Sequence, residues 1–253
     1  MLTFGETMLE TLRKRFPNST ITHVETLPAA QARYSEWPGW VEPSLKQMLI
    51  DASIQAPYSH QRDCANHAWE GQHVVIATGT SSGKSLGYQL PILTTLAADP
   101  TACALYLTPT KALSSDQLHA TQRIVRAVDT LSGVNPAPYD GDTPAEARAN
   151  IREHTRFVFT NPDMLHAGIL AAHPRWARLL RHLKYVVVDE CHTYRGVFGA
   201  NVALVLRRLL RIAAAYGAHP TLIFASATAA DPAGQASRLC GKPVVAVTDD
   251  GAP

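Results

Sequence analysis

Short apolar runs that alternate with helical stretches constrain this chain most strongly. The runs recur from residue 74 to residue 248 as VVIAT, ALYLTP, APYD, RFVFTN, YVVVDE, TLIFAS and PVVAVT. Near-continuous Val, Ile, Leu and Phe runs separated by helices are typical of a parallel β-sheet that helices cover on both faces. We therefore predict an α/β fold with a doubly wound parallel sheet. In such sheets, ligands bind at the carboxyl ends of the strands.

Length and composition set broad limits. The 253 residues suffice for one large α/β domain or two small ones. The formal net charge of +2 is too small to indicate a nucleic-acid partner, so that inference needs local motifs. The four cysteines are Cys64, Cys103, Cys191 and Cys240. They form no C-x-x-C pair, and with no leader or bilayer-length apolar run in the sequence we expect a cytoplasmic protein without zinc or disulfides.

The N-terminal region is expected to be helical and accessory. Apolar residues recur at helical spacing at Leu2, Leu9, Leu12 and Phe16, and again at Leu45, Met48, Leu49 and Ala52. We assign residues 1–56 to this helical extension and residues 57–253 to the main domain, on which the apolar faces are expected to pack. The stretch TLPAAQARYSEWPGW between the two helices is a surface linker or an exposed aromatic contact, and packing is favoured. The final DDGAP is typical of the start of a linker.

Residues 74–86, VVIATGTSSGKSL, predict a strand, a phosphate-binding loop and a helix in that order. Small residues let backbone N–H groups surround a phosphate chain, Lys84 can reach the β- and γ-phosphates, and the Ser85 hydroxyl can bind Mg²⁺. The predicted nucleotide-binding residues here are Thr78, Gly79, Thr80, Ser81, Ser82, Gly83, Lys84 and Ser85. Thr78 stands where Gly or Ala is usual, and the alternative interpretation is a Ser/Gly turn that opens a helix. We expect ATP and Mg²⁺ as cofactors.

Two acidic residues follow the apolar run YVVV at residues 185–188. A carboxylate directly after a buried strand is costly unless it meets a metal or a cation, so Asp189 is predicted to hold Mg²⁺. Glu190 is predicted to orient and deprotonate the water that attacks the γ-phosphate. With Lys84, these are the predicted catalytic residues. The alternative is an Asp-Glu pair that only caps the next helix.

The sequence D-E-C-H at residues 189–192 matches the D-E-x-H box of superfamily 2 DEAD/DEAH-box helicases. The chain resembles the first RecA-like lobe of that family, a P-loop NTPase domain. The tripeptide SAT after the run TLIFA resembles the motif that links hydrolysis to movement of the strand. The resemblance assigns this coupling to His192, Ser226 and Thr228, and His192 is the only histidine predicted to be functional.

Three further segments resemble the family's motifs for the nucleic-acid backbone. TPTKAL at residues 108–113 resembles motif Ia, TNPDMLH at 160–166 resembles motif Ib, and YDGDT at 139–143 resembles the turn between them. Hydroxyls, exposed N–H groups and one lysine after a strand suit a phosphate without reading the base. The predicted contacts are Pro109, Thr110, Lys111, Gly141, Asp142, Thr160, Asn161 and Pro162. Each segment alone is also compatible with an ordinary capped turn.

The segment PYSHQ resembles the adenine-reading Q motif of the family. The Gln61 amide can pair with the donor and acceptor edge of adenine, and Tyr58 or Arg62 can stack on the base or pack near it. Tyr58 and Gln61 are therefore predicted to bind the nucleotide. The alternative is a helix-capping turn with an exposed glutamine.

Within the superfamily, the segments PYSHQ, ATGTSSGKSLGYQLPIL and DECHTYRGVFGANVALVLRRL resemble RecQ-related DNA helicases of bacteria and fungi, including the bacterial mitomycin-repair helicases. That resemblance implies a DNA-dependent ATPase that translocates 3′ to 5′ on single-stranded or partly duplex DNA in DNA repair. Nothing after Thr228 resembles the second RecA-like lobe that supplies an arginine finger. We therefore expect a monomeric fragment that needs the second lobe of its parent chain and alone hydrolyses ATP slowly, if at all.

Three other functions remain open from the residues. An RNA-directed helicase lobe would use the same backbone contacts, so only the resemblance favours DNA. A nucleic-acid-binding scaffold without hydrolysis conflicts with intact Lys84, Asp189 and Glu190. A small-molecule kinase leaves the SAT tripeptide and the backbone motifs unexplained.

Overall fold

Seven parallel strands form one sheet in the computed structural model, which describes residues 4–25 and 31–253. The strands are β1 Val74–Ala77, β2 Cys103–Leu107, β3 Ala137–Pro138, β4 Phe157–Thr160, β5 Leu183–Val188, β6 Thr221–Ser226 and β7 Val245–Val247. They lie in the order β3-β4-β2-β5-β6-β1-β7, and every pairing is parallel. Each predicted apolar run overlaps one strand. β2 and β5 begin shortly before their runs, and β3 covers only two residues of its run. The predicted fold class is confirmed.

Ten α-helices occur in the described part of the chain. They are α1 Phe4–Arg15, α2 Pro43–Asp51, α3 Ser59–Trp69, α4 Ser85–Ala98, α5 Lys111–Ala127, α6 Ala145–His154, α7 Pro162–Met164, α8 Ala177–Arg181, α9 Gly196–Ala215 and α10 Pro232–Cys240. Short 3₁₀ turns cover Asp129–Leu131, His173–Trp176 and Cys191–Thr193, and a π-helix covers Leu165–Leu170. None of the helices in this part is long and apolar enough to span a bilayer.

The two faces of the sheet bury separate apolar clusters, because successive side chains of a strand point to opposite faces. Val74 and Ile76 pack in the cluster that includes residues of α2, α3, α4 and α5. Val75 and Ala77 pack in the cluster that includes residues of α8, α9 and α10. All four residues of β1 are buried, as expected for a strand covered on both sides.

The chain divides into two units, Met1–Ala30 and Gln31–Pro253. In the first unit, α1 has no buried residue. Leu2, and residues 26–30 of the predicted Pro- and aromatic-rich stretch, lie outside the described residues. The boundary placed at residue 56 stays a prediction.

Residues 31–56 belong to the same unit as the sheet. Leu45 and Leu49 of α2 are buried in its core. The Trp40 ring stacks on the Trp69 ring of α3, with centroids 4.4 Å apart. This part of the N-terminal region packs as the sequence indicated.

The predicted C-terminal linker DDGAP is bound to other parts of the second unit. The Arg33 N–H donates to the Gly251 carbonyl oxygen at 2.8 Å, and the Gly251 N–H donates to His60 Nδ1 at 3.0 Å. Its composition is that of a linker, but its backbone pairs with two segments that are remote in sequence. Periodicity carries no signal for such pairing.

Arg156, directly before β4, binds three carbonyl oxygens of residues 96–102, the segment where α4 ends and the chain leads into β2. Its guanidinium donates to the carbonyl oxygens of Leu96 at 2.6 Å and Ala102 at 3.1 Å, and also to that of Asp99. These carbonyls end α4 and lead into β2, so one side chain satisfies orphan acceptors at a helix C-terminus. Burial lowers the pKa of Arg156. Because Arg156 is only 8% exposed, water has little access to the carbonyl oxygens that its guanidinium binds.

We expect Arg156→Ala to lower the free energy of unfolding by roughly 3 kcal/mol, because buried carbonyls lose charged donors. Chemical denaturation of the 253-residue chain, followed by circular dichroism, measures the change. Exposed Arg126 on α5 is the matched control, and Arg126→Ala should change stability by less than about 0.5 kcal/mol. Equal effects of the two variants would contradict the assigned role of Arg156.

Candidate nucleotide site and nucleic-acid surface

The predicted phosphate loop connects β1 to α4. The Thr78 and Ser82 hydroxyls share a hydrogen bond of 2.7 Å across the loop. The Lys84 ammonium donates to the carbonyl oxygens of Thr78 at 3.2 Å and Gly79 at 2.7 Å. The loop therefore curves around its own lysine, which lies at the start of α4.

Two residues of the loop have left-handed backbone conformations. Gly83 has φ 76°, and a Cβ there would lie 2.6 Å from Gln61 Nε2, so both conformation and space require glycine. Ser81 has φ 65° without being glycine. A serine in this region is strained, and such strain persists only where surrounding contacts hold it.

The Gln61 side chain connects α3 to the phosphate loop. Its Oε1 accepts from the Tyr58 N–H at 2.8 Å, and its Nε2 donates to the Gly83 carbonyl oxygen at 2.9 Å. Both ends of the amide are thus bound to protein backbone. Through these two hydrogen bonds, Gln61 holds the phosphate loop against the start of α3. Its role in reading adenine stays a prediction.

A cavity of about 1020 Å³ extends from the phosphate loop to a pair of tyrosines. Gly83 and Ser85 line one part, and Tyr34 and Tyr58 line another. The two tyrosine rings stack with centroids 5.1 Å apart and an interplanar angle of 29°. A concave, largely apolar space with a few polar groups suits a base and its sugar. Sequence reasoning missed Tyr34, because it lies in the N-terminal region and belongs to no recognised motif.

The Asp189 carboxylate follows β5 at the same edge of the sheet as the phosphate loop. One oxygen accepts from the Tyr106 hydroxyl, and Oδ1 accepts from the Glu190 N–H at 2.9 Å. Burial raises the pKa of Asp189, while those bonds and the nearby Lys84 charge lower it. β1 and β5 flank β6, so their ends are about 10 Å apart at ordinary strand spacing.

Glu190, His192 and Ala227 form a contact chain between the acidic pair and the SAT tripeptide. His192 Nδ1 lies 3.1 Å from Glu190 Oε2, and the Ala227 N–H points to the same nitrogen at 3.4 Å. One ring nitrogen can donate to the carboxylate or accept from the amide, but not both. The protonation state of Nδ1 therefore selects the partner. Glu190 itself has a left-handed φ of 50°.

The other two coupling residues differ in exposure. Ser226 is buried at the end of β6, and its hydroxyl makes no hydrogen bond with described residues. Thr228 is exposed two residues later. The structure thus places Glu190, His192 and the SAT turn together. Among these residues, Thr228 alone is exposed.

The residues predicted to contact nucleic acid fall into two groups. The Lys111 ammonium pairs with the Asp142 carboxylate, which joins motif Ia to the Gly141 turn. Thr110, after Pro109, caps α5 by accepting from the Leu113 N–H at 3.5 Å. These residues lie after β2 or β3, at the edge where the phosphate loop also lies.

Motif Ib is mostly turned inward. Thr160 is buried, and its hydroxyl donates to the Tyr139 carbonyl oxygen at 2.6 Å. Pro162 is also buried. Asn161 is partly exposed and caps α7 by accepting from the Met164 N–H at 2.8 Å. Of the three predicted contacts in motif Ib, Asn161 alone is partly exposed. Thr160 and Pro162 are buried, and their contacts with nucleic acid stay predictions.

Comparison with known proteins agrees with these motifs. The family profile described as DEAD/DEAH box helicase matches residues 58–235. The chain is 41% identical over 236 residues to "Uncharacterized ATP-dependent helicase YprA" of Bacillus subtilis, covering 93% of this chain and 31% of YprA. It is 41% identical over 250 residues to "ATP-dependent helicase HRQ1" of Saccharomyces cerevisiae, covering 97% of this chain and 23% of that protein.

A solved structure gives the same result. The crystal structure of "DUF1998 helicase MrfA bound to DNA and AMPPNP" superposes with a TM-score of 0.90 at 40% identity, covering 97% of this chain and 34% of MrfA. The chain thus spans 23% to 34% of the length of these relatives. The resemblance read from the motifs is confirmed, and the chain belongs to the DEAD/DEAH box helicase family.

Proposed function

We propose that this chain is the first motor lobe of an ATP-dependent DNA helicase, and that it binds Mg-ATP and the backbone of single-stranded DNA. The observation that carries the proposal is one shared edge. The phosphate loop after β1, the acidic pair after β5 and the SAT turn after β6 all follow carboxyl ends of neighbouring parallel strands. Such an edge is where α/β sheets bind nucleotides.

The residues of this edge fit a nucleotide and a divalent ion. Loop amides and Lys84 would hold the phosphates, and the cavity toward Tyr34 and Tyr58 would take the adenosine. Ser85 and Asp189 would hold Mg²⁺, because a desolvated carboxylate gains most from a cation. Among the described residues no group of three His, Cys, Asp or Glu side chains forms a metal site. Phosphate oxygens and water would complete the coordination of the ion.

Hydrolysis needs a base beside the γ-phosphate, and we assign it to Glu190. Mg²⁺ supplies charge neutralisation on the phosphates when bound. The Glu190 carboxylate would orient the water and accept its proton, with His192 Nδ1 at 3.1 Å as its neighbour. Because His192 Nδ1 bonds either to Glu190 or to the Ala227 N–H, a change at the base would alter the bond to the SAT turn. This is the route by which hydrolysis would move the DNA-binding edge.

Contacts with DNA are proposed at Thr110, Lys111, Asp142 and Asn161, beside Pro109 and Gly141. The hydroxyl, ammonium and amide of Thr110, Lys111 and Asn161 suit a sugar-phosphate backbone and carry no base readout. The Asp142 carboxylate, which repels phosphate, would act by holding the Lys111 ammonium. The MrfA crystals contain DNA, which favours DNA over RNA for this chain. The 3′ to 5′ direction, a role in DNA repair and a second RecA-like lobe in the same parent chain are proposed from the resemblance. A cytoplasmic location is proposed from the cysteine pattern, and a monomeric state is proposed as well.

We expect Glu190→Gln to lower DNA-stimulated ATP hydrolysis by about 100-fold or more, since it removes the base and keeps the size of the side chain. The assay uses a polypeptide that contains this chain and the second lobe, with and without single-stranded DNA. Nucleotide affinity should stay within about twofold, because a base need not bind the ground state. Exposed Glu70→Gln is the matched control. Unchanged turnover in Glu190→Gln would remove Glu190 from the mechanism.

The same assay separates the alternatives. Stimulation by single-stranded RNA but not DNA would replace the DNA helicase with an RNA-directed lobe. Nucleotide binding without turnover under any condition would favour a scaffold. The isolated chain is expected to turn over slowly, if at all, since an arginine finger comes from the second lobe.

We expect Asp189→Asn to stabilise the fold while weakening magnesium-dependent nucleotide binding. Because burial raises the pKa of Asp189, the folded state holds the proton more tightly than the unfolded state. Its contribution to stability is therefore present at low pH and lost as the pH rises through the raised pKa. At pH 7 the variant should therefore melt at a higher temperature than the wild type, and the difference should shrink as the pH falls through the raised pKa. The Asn oxygen still accepts from the Glu190 N–H.

Thermal unfolding of the 253-residue chain by circular dichroism measures this effect. Exposed Asp116→Asn should leave the midpoint unchanged at both pH values. A lower midpoint for Asp189→Asn than for the wild type would show that this carboxylate is not destabilising.

A further inference from the structure

Asp250, near the end of this sequence, is hydrogen-bonded to the backbone of the phosphate loop. Asp250 Oδ2 accepts from the Gly79 N–H at 2.8 Å, and Oδ1 accepts from the Ala252 N–H at 3.0 Å. The Asp250 side chain is 34% exposed. Its carboxylate therefore reaches from a polar, linker-like segment into the first half of the loop. We call residues 249–251 the tail segment.

His60 makes a second connection between the tail segment and the loop. Its ring is fully buried, with Nε2 2.9 Å from the Ser82 carbonyl oxygen and Nδ1 accepting from the Gly251 N–H at 3.0 Å. The neutral ring with its hydrogen on Nε2 satisfies both bonds. Burial lowers the pKa of His60, which agrees with a neutral ring. No sequence motif predicted this role.

The tail segment fits its place closely. A Cβ on Gly251 would lie 2.3 Å from Ser59 Oγ and 3.0 Å from the Arg33 carbonyl oxygen, so no side chain fits there. The Arg33 guanidinium pairs with the Asp249 carboxylate and donates to the Asp250 carbonyl oxygen at 2.8 Å. The Ser59 N–H in turn donates to the Arg33 carbonyl oxygen at 2.8 Å. The close fit of Gly251 and the backbone hydrogen bonds of Arg33, rather than the exposed Asp249 ion pair, fix the register that brings Asp250 to Gly79.

We propose that Asp250 and His60 are positioning residues that hold the phosphate loop in its binding conformation. They grip Gly79 and Ser82, which flank the strained Ser81. A loop fixed at both sides of its strained residue loses less conformational freedom when it binds phosphate. Both residues act through the loop backbone, since each is bonded to it. The proposal rests on nucleotide binding as proposed above.

The test measures the affinity of the 253-residue chain for fluorescent ADP in the presence of Mg²⁺. Asp250→Ala should weaken binding roughly fivefold to tenfold, because the loop loses a charge-assisted hydrogen bond. Asp250→Asn keeps an oxygen for the Gly79 N–H and should bind within about twofold of the wild type. Asp249→Ala is the matched control on the same segment. Its ion pair with Arg33 is exposed and should contribute little.

Two further variants separate positioning from folding. Gly251→Ala leaves every polar side chain in place but displaces the tail segment, so it should weaken ADP binding as much as Asp250→Ala does. His60→Gln retains a donor for the Ser82 carbonyl oxygen and should bind more tightly than His60→Leu. Circular dichroism and thermal unfolding identify any variant that fails to fold, and the Asp250 variants remain informative because that side chain is partly exposed.

Lys84→Ala distinguishes failure of this inference from failure of the proposed function. If Lys84→Ala binds ADP as the wild type does, nucleotide binding at this loop is wrong. If Lys84→Ala loses affinity while Asp250→Ala and Gly251→Ala do not, the positioning role is wrong. If Asp249→Ala weakens binding as much as Asp250→Ala, docking of the tail segment alone matters and the assignment of Asp250 is overturned.

Discussion

Parallel pairing of β1, β6 and β5 is the constraint on which the candidate site depends. Ala77 pairs with Ser226, and Val188 pairs with Phe224. Because these strands run in the same direction, the residues that follow them emerge at one edge. The phosphate loop, the SAT turn and the acidic pair are therefore neighbours by register, although about 140 residues separate Ser85 of the loop from Ser226 of the SAT turn. Side-chain contacts refine this placement but do not create it.

That edge carries two groups of opposite charge, the Asp189 carboxylate and the Lys84 ammonium. Asp189 lies at the end of a fully buried stretch of β5, so its charged form is disfavoured there. Lys84 lies close enough to lower the Asp189 pKa, but its ammonium is bonded to carbonyl oxygens of its own loop. Neither the Asp189 carboxylate nor the Lys84 ammonium has a strong partner of opposite charge among the described residues. The site therefore presents one negative and one positive group. An ion carried with a phosphate chain would satisfy the two groups at once.

Much of this architecture could be predicted from the sequence, because apolar runs report burial directly. The seven strands, the loop after β1 and the acidic pair after β5 follow from local patterns. Periodicity does not report which remote segments meet, so Tyr34, His60 and Asp250 were missed although they line or hold the loop. Motif likeness also does not report which way a side chain faces. Thr160 is buried with its hydroxyl bonded to the Tyr139 carbonyl oxygen, and the Gln61 amide is bonded to backbone at both ends.

The hydrogen bonds of the loop explain why so many side chains converge on it. The carbonyl oxygens of Ser82 and Gly83 accept from His60 and Gln61, and those of Thr78 and Gly79 accept from Lys84. Carbonyl oxygens that are already satisfied leave loop N–H groups available for an anion, although the Gly79 N–H donates to Asp250. Under the proposed function, Lys84 alone among these donors would also bind the phosphates. Its exchange of neutral carbonyl acceptors for charged oxygens is favourable, provided that His60, Gln61 and Asp250 keep the loop in shape when the lysine leaves.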